Sequence, residues 1–303
     1  MSGLMDGLDR KIAGAQALNG VVRSMKALAA SSIGQYENAV AALQDYHRTV
    51  ELGLSACIGQ RAPATPAHAR SPADSIGAVI FGSDQGLVGR FNEVLVEFSV
   101  RTLEALPGTR RRIWAVGERM HALTAGNGLP TASTLPVPNS VGAIAPLVGQ
   151  ILIALELARE HGDIGSIYVF HNAPKSASLY QPTVRRLLPL DDHWQNPRAA
   201  RDWPTRYVPQ PIDGVVTALE AFIREFFFIL LFRSCAESLA SENASRLEAM
   251  QRAEKNIEQI LDELNRLYHR LRQESIDGEL FEVISGYESL VGRNSRSGRG
   301  SFP

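Results

Sequence analysis

The distribution of proline constrains the fold of this chain more than any other feature. Of the 16 prolines in 303 residues, 15 lie from Pro63 to Pro211, and the last is Pro303. Proline inside a helix costs about 3 kcal/mol, because it lacks an N–H group and its ring clashes with the preceding turn. Residues 1–62 and 212–302 can therefore form long helices, whereas the middle of the chain cannot.

Both proline-free segments carry apolar residues at alternating steps of four and three, which is typical of a coiled coil. In the second segment, the pattern comprises Leu239, Asn243, Leu247, Met250, Glu254, Ile257, Leu261, Leu264, Tyr268 and Leu271, with Asn243 and Glu254 as polar interruptions. In the first segment, it comprises Leu18, Val22, Met25, Ala29, Ile33, Tyr36, Val40 and Leu43. Each segment therefore needs a partner helix.

Two arrangements satisfy this pattern: a homodimeric adaptor with a coiled coil and an α/β head, or an intramolecular antiparallel pair. The second is favoured, because both arms then emerge from one compact domain inserted between them. We predict an N-terminal coiled-coil helix at 1–62, an inserted α/β domain at 63–211 and a C-terminal coiled-coil helix at 212–290. The polar, low-complexity residues 291–303 are predicted to be a disordered tail.

The middle segment alternates strand and helix patterns. "IGAVIFG", "RRIWAVG", "TASTL" and "SIYVFHN" are predicted strands, "PTVRRLLPL" is a further extended piece, and helical patterns separate the strands. This alternation predicts a Rossmann-like, doubly wound parallel sheet. The fold class is thus α+β or α/β, with a long coiled coil around the inserted domain.

The glycine-rich stretch "GSDQGLVGRFN", residues 82–92, follows the first strand and precedes a helix. A phosphate loop requires G-x-x-x-x-G-K-[ST], but Arg90 and Phe91 stand where the lysine and hydroxyl should be. The spacing of the glycines also departs from the dinucleotide motif G-x-G-x-x-G. We therefore predict that the glycines are structural, and that the chain binds no cofactor.

The remaining composition favours no enzyme class. The formal net charge is −1, the two cysteines are far apart, and no metal-binding or nucleophile motif occurs. Glu237 and Glu242 are predicted to lie on a solvated helix face, paired with nearby basic residues. The longest apolar run, "FFFILLF", is far shorter than the ~20 residues of a membrane span, and the N-terminus is unlike a secretory signal. We expect a soluble protein that reaches a membrane only through a partner.

Three stretches, residues 23–31, 83–92 and 238–286, resemble the gamma subunit of F-type ATP synthases. "RSMKALAAS" (23–31) is similar to its N-terminal helix motif, and "SDQGLVGRFN" (83–92) to its Ser-Asp-basic-Gly-Leu-Cys-Gly-Gly-aliphatic-Asn segment. Residues 238–286, beginning "SLASENASRLEAM", resemble its C-terminal signature S-E-x-x-A-R-M-x-A-M and the helix that follows. The resemblance extends from about residue 4 to 290.

The resemblance implies a non-catalytic rotor, the central stalk. Such a subunit couples ion flow through the membrane sector to ATP synthesis or hydrolysis on the beta subunits. The implied partners are three alpha and three beta subunits, an epsilon subunit and the membrane c-ring. The implied location is the cytoplasmic face of the bacterial inner membrane, as a peripheral component.

The resemblance also implies site residues. Met25, Lys26, Arg246, Arg272 and Gln273 match positions that contact the beta subunits or the neck of the rotor. Ser83, Asp84, Gly86 and Gly89 match the family's signature turn.

Several positions depart from the family pattern. Gln85 replaces a basic residue, Val88 a cysteine and Arg90 a glycine, and "IDGE" (276–279) replaces Ile-Thr-Gln-Glu. These departures resemble the alternate N-type branch of F-type ATPases.

Overall fold

The computed structural model describes residues 2–60, 75–108, 110–129, 131–176, 179–189, 209–212 and 214–297. The helices are α1 (Ser2–Gln60), α2 (Phe91–Ala105), α3 (Glu118–Gly126), α4 (Ile144–Glu160) and α5 (Val215–Ser297). The strands are β1 (Ser75–Phe81), β2 (Arg110–Val116), β3 (Thr131–Leu135), β4 (Ser166–Ser176) and β5 (Leu179–Leu188). A 3-10 turn, Val141–Ala143, leads into α4.

The two proline-free segments are long helices, as predicted, of 59 and 83 residues. α5 continues to Ser297, past the domain boundary predicted at residue 290. Residues 298–303 of the predicted tail lie outside the described part of the chain, as does most of the predicted connector at 191–211.

The five strands form one mixed sheet in the order β3-β2-β1-β4-β5. Pairs among β1, β2, β3 and β4 are parallel, as predicted, but β5 pairs antiparallel with β4. The prediction of a wholly parallel sheet was therefore wrong at this edge. Only residues 177 and 178 separate β4 from β5, and so short a link permits a hairpin but no parallel crossover.

The sheet has a packed core on each face, because side chains alternate along its strands. Val79 and Phe81 of β1 face a core shared with α1, α4 and α5. Ala78 and Ile80 face a second core shared with α2 and α3. This layering confirms the predicted Rossmann-like domain.

α4 and its preceding turn, Val141–Glu160, are long and apolar enough to cross a membrane by length and composition. Within the structure, this segment supplies Ile144, Val148 and Ile151 to the sheet's core. Packing against the sheet thereby accounts for the apolar residues on one side of this helix, while Ile153 and Leu157 are 59% and 49% exposed.

The chain divides into two compact units, to both of which the long helices contribute. The helical unit comprises Met1–Met25 and Met250–Pro303, and the body unit comprises Lys26–Ala249.

In the helical unit, α1 and α5 pack through heptad positions such as Leu8, Val22, Met250 and Ile257, all buried. The position given to Leu18 in the predicted seam is wrong, because Leu18 is 54% exposed. Asn19 is instead the partly buried residue at that level.

In the body unit, α1 and α5 run antiparallel. Tyr46 of α1 donates a 2.6 Å hydrogen bond to Glu225, and a Cβ at Gly53 would lie 2.4 Å from the ring of Phe222. A later residue of α1 thus lies beside an earlier residue of α5. The two helices therefore run in opposite directions, which confirms the predicted antiparallel pair.

Candidate functional site

The signature turn lies between β1 and α2 and is shaped by two close backbone approaches. At Gly82, a Cβ would lie 2.5 Å from that of Met120, and at Gly117, with φ of +107°, it would lie 2.5 Å from the carbonyl oxygen of Ser83. Gly89 has a positive φ of 58°, which favours glycine. Gly86 is exposed with open space around it, so nothing within the structure explains a glycine there.

Ser83 and Asn92 close the turn through buried side chains. The Ser83 N–H donates to Asn92 Oδ1 at 3.0 Å, and Asn92 Nδ2 donates to Ser83 Oγ at 2.7 Å. Ser83 Oγ in turn donates to the carbonyl of Gln85 at 2.7 Å. The polar groups of Ser83, Gln85 and Asn92 therefore form hydrogen bonds with one another within the turn.

Asp84 ties the turn to the neighbouring loops. Its Oδ1 accepts the N–H of Glu118 at 3.1 Å, and its Oδ2 accepts the N–H of Val137 at 3.1 Å. The aspartate therefore joins the ends of β1, β2 and β3. The serine and aspartate of the signature are used in structural bonds, and no basic side chain takes part.

The two signature stretches meet in the body unit, where α5 crosses the end of the sheet. Ser238 Oγ donates to the carbonyl of Phe81 at 3.0 Å, and Ser245 Oγ donates to the carbonyl of Val88 at 2.5 Å. Val88 is itself buried, so this position asks for a small apolar side chain. Gln85 and Arg90 are exposed, and their side chains are not needed for these bonds.

A buried charged cluster joins the same segment of α5 to β4 and β5. Glu237 Oε2 lies 2.8 Å from His171 Nε2 and 3.5 Å from Arg185 Nη2, while Glu237 Oε1 accepts a 2.6 Å bond from Arg233 Nε. The His171 side chain is fully buried, and that of Glu237 is 9% exposed.

The protonation states in this cluster follow from burial and from the partners. Burial alone would raise the pKa of Glu237, but hydrogen bonds from His171 and Arg233, with the charge of Arg185, lower the pKa to about 2. Burial lowers the pKa of His171 despite its contact with Glu237. A neutral His171 therefore donates its Nε2–H to an ionised Glu237.

Glu242 and Arg246 form a second internal pair on α5. Arg246 Nη2 donates to Glu242 Oε1 at 2.6 Å. Burial raises the pKa of Glu242, and Arg246 opposes the shift. The prediction that Glu237 and Glu242 lie on a solvated face was wrong, because both side chains are buried. Their pairing with nearby basic residues was right.

The other predicted contact residues lie outside this junction. Met25 and Lys26 are half-buried on α1, at the boundary of the two units. Arg272 and Gln273 are exposed on α5 in the helical unit, where Gln273 Nε2 donates to Asp277 Oδ1 at 3.1 Å. Only Arg246 among the five lies beside the signature turn.

His171, Arg185 and Arg233 were not singled out from the sequence. His171 follows an apolar strand pattern, and both arginines stand in apolar surroundings. A charged residue within an apolar run is a signal for a buried polar cluster, although the sequence does not show which residues meet.

α5 exposes an unusually apolar segment in the helical unit. Six large apolar side chains between residues 276 and 287 are each 45–70% exposed: Ile276, Leu280, Phe281, Val283, Ile284 and Tyr287. Clustered exposed apolar residues of this kind mark a surface for another macromolecule. We call this segment the apolar end.

The buried acidic side chains of this junction are held in ion pairs with basic residues. No group of three or more His, Cys, Asp or Glu side chains able to hold a metal occurs among the described residues. The geometry suits attachment of a long helix to a compact domain.

Comparison with known proteins gives the family. The model of a family described as ATP synthase matches residues 5–290. The ATP synthase gamma chain of Methylococcus capsulatus is 25% identical, over 91% of this chain and 96% of its own. That of Geobacter sp. is 28% identical, over 90% and 93%, respectively.

Solved structures show the same fold. A chain in the OSCP/F1/c-ring structure of Euglena gracilis mitochondrial ATP synthase has a TM-score of 0.64 and 16% identity, covering all of this chain and 98% of its own. A chain of the Tetrahymena thermophila central stalk and c-ring has a TM-score of 0.54 and 19% identity, covering 77% and 99%. The chain therefore belongs to the ATP synthase gamma-chain family.

Proposed function

We propose that this chain is the central-stalk rotor subunit of a membrane-bound F-type ATP synthase, and that it is itself non-catalytic. Its partners would be three alpha and three beta subunits, an epsilon subunit and the membrane c-ring. The matched structures come from complexes named for F1, central stalk and c-ring, which supports this set of partners. The complex couples ion movement to ATP synthesis or hydrolysis.

The apolar end carries this proposal. Side chains such as Phe281 and Val283, 69% and 70% exposed, would face water in an isolated chain. Surrounding subunits would cover them, while the polar positions between them keep the helix soluble before assembly. A central stalk that is surrounded by other subunits needs such a contact surface, whereas an enzyme that binds its substrate in its own pocket does not.

A homodimeric adaptor is not favoured. The heptad positions of α1 are already covered by α5 of the same chain, as at the buried Val22, Tyr36 and Val50. The family match also covers nearly the whole chain, including both arms and the inserted domain.

We further propose that Met25, Lys26, Arg272 and Gln273 contact the beta subunits or the rotor neck. Arg246 would contribute to these contacts only through the exposed part of its side chain, because its guanidinium already donates a hydrogen bond to Glu242. The complex would lie on the cytoplasmic face of a bacterial inner membrane. Membership of the N-type branch remains a prediction from Gln85, Val88 and Arg90.

Co-purification tests the proposal. An affinity tag on the full chain, expressed in its native cells, should recover alpha and beta subunits in a threefold excess over this chain. Recovery of the chain alone, or as a homodimer, would contradict it.

A matched pair of variants tests the apolar end. Replacing Leu280, Phe281 and Ile284 together by glutamine should reduce recovery of alpha and beta. The control replaces Glu274, Glu279 and Glu282, which are exposed within or directly before the same segment, by glutamine and should leave recovery unchanged. Equal recovery with both triple variants would show that the apolar end is not the contact.

A further inference from the structure

One short segment of α5 buries an unusual number of polar side chains. Within Ser234–Ser245 these are Ser234, Glu237, Ser238, Ser241, Glu242, Asn243 and Ser245. The fully buried side chains of α1, in contrast, are apolar or, at Tyr36, aromatic, among the residues described. Burial of polar groups is unfavourable unless they are bonded. We therefore expect this face of α5 to make directional contacts that apolar packing would not make.

Three of these side chains attach α5 to different parts of the body unit. Glu237 binds His171 of β4 and Arg185 of β5, at 2.8 and 3.5 Å. Ser238 binds the carbonyl at the end of β1, and Ser245 binds that of Val88 in the signature turn. The attachments thus reach β1, β4, β5 and the turn.

The attachments fall into two directions around the helix, because Ser245 lies about 20° from Ser238 by helical geometry. Successive residues of an α-helix lie about 100° apart, so Glu237 and Ser238 face neighbouring quadrants. Ser245, eight residues further on, lies about 80° from Glu237 by the same geometry. Rotation of α5 about its own axis, in either sense, therefore lengthens one set of bonds.

Small rotations would break these bonds. At a radius of about 5 Å, a roll of about 20° moves a side chain by nearly 2 Å, which exceeds the tolerance of a hydrogen bond. Apolar contacts are non-directional and resist such a roll far less.

We propose that Glu237 and Ser238, with His171, Arg185 and the carbonyl of Phe81, form a torsional lock that makes the α/β body and the C-terminal helix turn as one piece. The inference rests on the proposed rotor function. Glu237 and Ser238 are then positioning residues, since neither touches a substrate. Their contribution appears only when the rotor turns against a load.

Two variants weaken different parts of the lock without leaving a carboxylate or an imidazole buried alone. The double variant His171→Leu with Glu237→Leu replaces the two most deeply buried members of the lock by apolar side chains of similar size. The remaining arginines, Arg185 and Arg233, have side chains 32% and 37% exposed and can reach water. Ser238→Ala with Ser245→Ala removes only two hydroxyl groups. Glu220→Gln, exposed on the same helix, is the control.

The experiment uses the complete complex in sealed membrane vesicles. ATP hydrolysis is measured with the ion gradient abolished by an ionophore, and the steady gradient is measured without it. Both lock variants should hydrolyse ATP at the wild-type rate without load, yet build a smaller gradient. The control should match the wild type in both measurements.

The outcomes are distinguishable. A wild-type gradient in assembled lock variants would overturn the proposal, and so would a proportional loss of hydrolysis and gradient, which indicates misfolding alone. If the double leucine variant does not assemble, the double alanine variant decides by the same criterion. Failure of the wild-type chain to bring alpha and beta subunits would instead refute the rotor function.

Discussion

Asn92 is the polar side chain on which the geometry of the signature turn depends most directly. It is 1% exposed and makes two hydrogen bonds to Ser83. Asn92→Ala leaves the buried N–H of Ser83 without this acceptor, so we expect a loss of about 1–3 kcal/mol in the free energy of unfolding. Urea denaturation of the purified full chain measures it.

The control for this variant is Asn127→Ala. Asn127 is exposed, and its Nδ2 donates to the carbonyl of Leu123 within a helix end. Its loss should change stability by less than about 0.5 kcal/mol. Equal losses of unfolding free energy in the two variants would show that the buried hydrogen bonds of Asn92 stabilise the fold no more than the exposed bond of Asn127.

His171 should make stability fall as the pH falls below neutrality. Its pKa is lowered in the folded state by burial, and Arg185 and Arg233 disfavour the charged form further, against the opposing Glu237. Its contribution is complete above the unfolded value of about 6.5 and is lost as the pH falls below it. We expect His171→Gln to reduce the difference in unfolding free energy between pH 7 and pH 5.

Glu237 acts in a lower pH window. With a folded pKa of about 2, its contribution is complete above the ordinary value of 4.5 and is lost as the pH falls from there toward 2. In the wild-type chain, its titration therefore falls below the pH 7 to 5 range that is used for His171. The exposed His269→Gln serves as a control, and an unchanged pH 7 to 5 difference in His171→Gln would refute the assignment.

At this scale, sequence identified the turn but not its bonds. Ser83, Asp84 and Gly89 were recognisable because their order resembles the family's motif, and the turn itself favours glycine. The partnership of Glu237 with His171 was not, since the two residues are 66 positions apart and only the packing of α5 on β4 brings them together.

Two glycines of α1 allow a test at the level of the element. Gly34 is exposed with open space around it, whereas a Cβ at Gly53 would lie 2.4 Å from Phe222. Gly34→Ala should stabilise the chain by roughly 0.5–1 kcal/mol through helix propensity alone. Gly53→Ala should fall below Gly34→Ala by at least about 1 kcal/mol, because the ring must move.

Thermal and urea unfolding of both variants, with circular dichroism as the probe, compares them directly. Equal stabilisation by both substitutions would contradict the close packing of α1 on α5 at Gly53.

The long helices were predictable because proline absence and heptad spacing are local properties of sequence. The register of the helix pair was harder to predict. The heptad pattern placed Leu18 between the helices, but Asn19 is the partly buried residue at that level. A partly buried Asn19, whose Oδ1 has no hydrogen-bond partner among the described residues, is a poor choice for packing alone. The direction of β5 was not predicted, because "PTVRRLLPL" indicated only an extended piece, and the direction depends on the short link to β4.

For the whole molecule, the central claim is that this chain rotates within an assembly. The two native cysteines, Cys57 and Cys235, are buried, and burial raises the pKa of each thiol. Glu104 on α2 is exposed, so the thiol that Glu104→Cys introduces should react with a thiol-specific probe in preference to the two buried cysteines.

The most direct test attaches such a probe to the body of the assembled complex and immobilises the complex through its beta subunits. On addition of ATP, the probe should rotate continuously in one direction, and the rotation should stop when ATP is removed. A probe that stays fixed, or that only fluctuates, in a complex that still hydrolyses ATP would contradict the rotor function.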